Sequence, residues 1–115
     1  MKLQKPEIKD WDCSDHDPIE DWQPIDPAWV EYWCNIAIGI EGEDRADNFQ
    51  VHVVPEKMLP QILDKKYILV LPYYEGWDQV LQALNTKISN INELNWAGMS
   101  EKLSEMFLWE YKDYK

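Results

Sequence analysis

"WVEYWCNIAIGIEGEDRADNFQVHVV", residues 29–54, decides the fold. From Trp29 to Ile40, aromatic and β-branched residues occupy both parities, a composition that suits a well-covered strand and ends at Gly39. "EGEDRADN" is a polar turn region. In "FQVHVV" the alternation is clean: Phe49, Val51 and Val53 share one face, and His52 takes the other, toward solvent. The two runs predict a long antiparallel hairpin.

On the N-terminal side, "KLQKPEIK" (2–9) alternates weakly and reads as a short edge strand, which is where Pro6 is tolerated. Residues 12–28 carry Pro18, Pro24 and Pro27 among many Asp, the mark of an ordered but irregular loop. On the C-terminal side, Pro55 opens a short helix, "PEKMLPQILDK", limited by Pro60. "YILVLP" is a short apolar run, a buried third or fourth strand ended by Pro72. The period then changes. Trp77, Val80, Leu81, Leu84, Ile88 and Ile91 recur at three- and four-residue steps, and Trp96, Met99, Leu103, Met106 and Phe107 repeat the pattern. Strands are expected near 29–40, 48–54 and 67–71, and helices near 77–91 and 95–107. Trp109 and Tyr111 continue the core or form a terminal strand. Strands first and helices later predict an α+β fold: an antiparallel sheet of about four strands, with helices, two of them in the C-terminal half, packed on one face.

The 115 residues form one domain, 1–115. Such a chain hides roughly 65% of its unfolded surface on folding, and seven Trp and six Tyr make its core aromatic enough to need no disulfide staple. Cys13 and Cys34 read as reduced thiols. No charged segment followed by an apolar one marks a signal peptide, and the longest apolar runs fall far short of the ~20 residues that cross a bilayer. A soluble cytoplasmic protein is the expectation.

Net charge is −11, and its placement is uneven. The stretch "DWDCSDHDPIEDWQPIDP" (10–27) has seven carboxylates and no Lys or Arg, leaving −4 for the rest of the chain. This disfavours direct nucleic-acid binding, where a basic stripe supplies most of the affinity, and docking on anionic membrane. A purely solvating tail would lack the prolines and aromatics that stud the stretch.

Cys13, Asp15, His16, Asp17, Cys34 and His52 include every zinc ligand type, but there is no Cys-x-x-Cys pair and no paired-His motif. Glu110 and Asp113 are the one candidate pair of carboxylates for acid/base work, yet nothing nearby would split their pKa values, and Trp109, Tyr111 and Tyr114 read as packing residues. There is no Gly-rich phosphate loop, and none of the four serines or two cysteines stands in a nucleophile motif. No catalysis, metal or cofactor is expected. Trp29, Trp33, Trp77, Trp96 and Trp109 lie on periodic elements and read as core. Trp11 and Trp22 lie among carboxylates, where Trp22 either pins the loop or anchors a partner.

The quoted hairpin with its flanks, "PIDPAWVEYWCNIAIGIEGEDRADNFQVHVVPEKML", together with "YILVLPYYEGWDQVLQAL" and "NWAGMSEKLSEMFLWEYKDYK", resembles a known family from about Lys5 to Lys115. It is the immunity protein 8 type of bacterial polymorphic-toxin immunity proteins. The Ile-Gly ending the first long strand, the Asp-x-Phe-x-Val-x-Val strand and the Trp-Glu-aromatic-x-Asp-Tyr close are the specific parts. "VPEKML" departs from the family's Thr-Pro-x-Trp-Leu, and "WEYKDY" carries Tyr where Phe is usual; both changes conserve packing.

The resemblance implies a small cytoplasmic protein that binds and neutralises one toxin domain, with contact-dependent growth inhibition as one setting. It carries over no catalytic residue. Many such toxins are nucleases with a basic groove, and placed carboxylates suit a partner of that charge. The candidate toxin-binding residues are Asp15, Asp17, Glu20, Asp21 and Asp26 with Trp22, then Glu41, Glu43 and Asp44 at the hairpin turn, and Glu110 and Asp113 at the C-terminus. The rival classes are a small metal-dependent or carboxylate-based enzyme and an acidic scaffold module.

Overall fold

The computed structural model describes residues 3–111. Its framework is the expected hairpin: β2 (Tyr32–Ile40) pairs antiparallel with β3 (Ala46–Pro55), matching Tyr32 with Val53, Cys34 with Val51 and Ile36 with Phe49. These pairs face one side, and all six residues are buried. Gly39 is required by a close approach, since a Cβ there would run into the Arg45 carbonyl oxygen across the hairpin.

The strand begins three residues later than Trp29. The Asp26 carboxylate accepts the Ala28 N–H at 3.0 Å and the Asp26 carbonyl accepts the Trp29 N–H at 3.0 Å, a turn that holds the chain out of the sheet. Trp29 is 47% exposed and Trp33 39%, so two tryptophans expected in the core lie on the surface. Trp33 is out of phase with Tyr32, Cys34 and Ile36, and aromatics on both parities do not reveal which face is covered.

β1 (Pro6–Asp12) pairs antiparallel with β2 as an edge strand, with an irregularity between Ile8 and Asp10. Pro6 opens it, where a missing N–H is tolerated. Asp10 and Asp12 are therefore strand residues. β4 (Ile68–Leu71) pairs with β3 in parallel, where an antiparallel neighbour was expected. A 3-10 helix, Glu56–Gln61, interrupted by Pro60, carries the chain back so that β4 runs the same way as β3. β5 (Leu108–Trp109) pairs antiparallel with Phe49 and Gln50, sharing with β4 the edge of β3 opposite β2.

Two helices cover the face bearing Ile36 and Phe49. α1 (Trp77–Ile88) buries Trp77, Val80, Leu84 and Ile88, and α2 (Trp96–Met106) buries Met99 and Leu103, with Phe107 following. These residues join the sheet in one continuous cluster, as the 3.6-residue period required. Asn95 caps α2, accepting the Gly98 N–H at 3.0 Å. Leu84 has no exposed surface, and Leu84→Ala is expected to cost about 2–5 kcal/mol of stability, read from the urea midpoint. An unchanged midpoint would refute this packing.

Candidate functional site

The acidic stretch forms a pinned loop with most of its apolar groups turned in, while Ile25 stands exposed. Cys13 and Ile19 are buried. The Trp22 ring stacks on His16 at 3.7 Å and meets Tyr74 and Tyr32 edge-on at 5.4 and 5.9 Å. The two tyrosine hydroxyls are 3.1 Å apart, and burial together with this contact drives the Tyr32 hydroxyl pKa far up. Trp11 packs on Trp77 at 5.6 Å, and its indole N–H donates to Glu20 Oε1 at 2.5 Å. Trp22 thus holds the loop in place.

The carboxylates turn out. Asp15, Asp17, Glu20, Asp21 and Asp26 are exposed. Among the described residues none of them forms an ion pair, and the carboxylates of Asp15, Asp17 and Asp21 accept no hydrogen bond either. Their negative potential is therefore presented to solvent, on a loop already ordered by its own packing.

The other candidate acids lie elsewhere. Glu41, Glu43 and Asp44 are exposed in the β2–β3 turn, and the nine residues of β2 put about 26 Å between that end of the sheet and the loop end. Glu110 is engaged: its carboxylate accepts the Asn48 N–H at 3.0 Å and the Asn48 side-chain amide at 3.4 Å, clamping the segment after β5. Asp113 falls outside the described residues. The candidates therefore divide into a loop end and a turn end, with Glu110 near the latter.

A sequence model of the immunity protein 8 family matches residues 6–114. The chain belongs to this family. Searches of curated proteins and of solved structures find no match. It is an immunity protein directed against a toxin, and its working surface is one that binds protein.

On the immunity protein's second sheet face neither helix packs. Asp12, Asn35 and Gln50 form a ladder across three strands, with Asn35 donating to Asp12 at 2.7 Å and Gln50 to Asn35 at 3.1 Å. Beside it His52 is only 4% exposed, which corrects the solvent-facing reading. Its cross-strand neighbour Trp33 lies flat over it at 4.7 Å, and its Nε2 meets Glu31 Oε2 at 2.7 Å. Parity placed His52 on the correct face; a covering side chain removed the solvent.

His16 is stacked on Trp22 beside Tyr32, whereas His52 lies under Trp33 on the opposite face of the sheet. Among the described residues no three His, Cys, Asp or Glu side chains converge as a metal site. No helix there is long and apolar enough to cross a membrane. Cys13 and Cys34 are free and buried, and burial raises both thiol pKa values.

One residue escaped the sequence reading. Asp47 shares the parity of Phe49 and Val51 and is accordingly on the covered face, only 5% exposed. Its Oδ2 accepts the indole N–H of Trp96 at 3.2 Å and of Trp109 at 3.0 Å. The signal was present in "DNFQV", where a carboxylate continues the inward row. Both tryptophans are half-buried, lining the core's edge.

Proposed function

We propose that this immunity protein works in the cytoplasm and neutralises a basic, nuclease-type toxin domain of the contact-dependent inhibition kind by stoichiometric binding, without catalysis. The observation that carries the reading is the loop end. Five exposed carboxylates stand there with no ion pair among the described residues, on a loop whose aromatics are already packed inward. A preordered loop gives up little conformational freedom on binding, so its charge is available for recognition. A nuclease must show phosphates a basic groove, and opposed fields raise encounter rates toward ~10⁸–10⁹ M⁻¹s⁻¹ at low salt, against ~10⁵–10⁶ without steering. Fast capture matters most where a free toxin molecule destroys nucleic acid.

The set Asp15→Asn, Asp17→Asn, Glu20→Gln and Asp21→Asn removes the charge and leaves Trp11 its acceptor. Against the cognate toxin domain, association at low salt is expected to slow by about tenfold or more, with a flattened salt dependence. A rate and salt slope both equal to those of the unaltered protein would place the binding face elsewhere.

A further inference from the structure

At the turn end of the sheet, between α2 and the starts of β3 and β5, lies a cleft of about 530 Å³. Its walls are the rings of Trp96, Trp109 and Tyr111, and Asp47 stands in it. The carboxylate is nearly buried and lacks a cation: among the described residues it forms no ion pair, and Arg45, at the rim, does not close on it. Both indole N–H groups converge on Oδ2, whereas Oδ1 accepts no hydrogen bond there. Oδ1 is not sealed by the fold, so it stays open to a donor that enters the cleft. Glu101, also lining the cleft, adds negative charge that offsets Arg45.

Indole and phenol rings lining a cleft beside a carboxylate suit a planar cation. Ring faces attract it, the carboxylate pairs with it, and a guanidinium both stacks and donates along its edge. Neutral groups gain neither term. The turn bearing Glu43 and Asp44 leads directly into Arg45, so a basic surface approaching this end meets favourable charge before the cleft.

We propose that the Asp47 cleft is a binding site for a guanidinium, filled by one arginine side chain of the cognate toxin. The second half rests on the toxin-binding reading above; the first stands on the cleft alone. The toxin would then be held at both ends of the sheet: steered by the loop, anchored by an arginine at the turn end.

Arginine amide is the probe. Titrated into the full chain, it is expected to move the indole N–H resonances of Trp96 and Trp109 in NMR spectra, saturating in the millimolar range, while those of Trp11 and Trp22 stay in place. Asp47→Asn keeps an acceptor for the indoles and removes the charge, and should abolish the shift. Glu101→Lys, at an exposed helix position, should weaken it by placing a cation at the rim. Both variants are expected to bind the toxin domain about tenfold or more weakly, chiefly through faster dissociation. No movement of the two indole signals would overturn the guanidinium site. Movement with toxin dissociation unchanged in folded Glu101→Lys would overturn the arginine anchor while leaving the immunity reading intact. If the unaltered protein fails to hold the toxin, the reading of the partner falls, and the titration still decides the cleft.

Discussion

Phe49→Ala is expected to remove about 3–5 kcal/mol of folding free energy, the largest effect of any single truncation considered. Phe49 has no exposed surface and sits at the centre of β3. Its ring meets Phe107 and Trp96 edge-on, each at 6.5 Å, and stacks on Trp109 at 6.3 Å. Those three residues come from α2, its end and β5, so one side chain joins the hairpin to everything that closes the chain. A domain of this size is stable by only about 5–15 kcal/mol, so the loss takes a large share of the total. Phe49→Leu keeps most of the volume and should cost less, about 1.5 kcal/mol or under if the neighbours repack. Urea unfolding followed by tryptophan fluorescence separates the two. Equal midpoints for Phe49→Ala and the unaltered protein would disprove this account of the core.

Stability is expected to fall steeply at alkaline pH, and the two thiols to resist alkylation until the chain unfolds. Burial raises the pKa of Cys34 and of Cys13 above the ordinary 9.0, and burial with the Tyr74 contact raises that of Tyr32 above the ordinary 10.0. The folded protein therefore keeps protons that the unfolded chain releases. Above about pH 9 the unfolded state binds fewer protons, so unfolding is favoured as pH rises; below it this stabilisation is fully present. Each such group contributes a slope of up to ~1.4 kcal/mol per pH unit between its unfolded and folded pKa, the thiols first and Tyr32 above about pH 10. At pH 8, iodoacetamide should label the folded protein at least about a hundredfold more slowly than the urea-unfolded chain, because the thiolate is the nucleophile and both sulfurs are buried. Labelling at the unfolded rate, or flat stability from pH 8 to about 10.5, would contradict the burial of these groups.

Much of this protein was legible in its sequence because local periodicity reports local geometry. The alternation of Phe49, Val51 and Val53 located β3 and its covered face, and the three- and four-residue steps from Trp77 to Ile88 located α1 and its buried stripe. The second stripe begins at Trp96, and the structure adds Asn95 before it as the side-chain cap of α2. The concentration of charge in residues 10–27 needed no fold at all, since it is a property of composition.

What the sequence left open depends on contacts between residues far apart in the chain. Aromatics on both parities of residues 29–40 identify a strand without saying which side a helix will cover, so Trp33 reads inward and lies outward, while Trp29 is held out of the strand by the Asp26 turn. Parity put His52 on the uncovered face, but only the cross-strand register set Trp33 over it. The direction of β4 depends on how the segment around Pro60 returns, which no hydrophobic pattern encodes. Asp47 is the sharpest case. The inward row of "DNFQV" determined that its carboxylate would be buried, whereas the tertiary structure decided its surroundings, by bringing Trp96 from α2 and Trp109 from β5 to one oxygen across 49 and 62 residues of chain. Burial follows from a period of two residues; a binding site follows from which distant side chains the packing brings together.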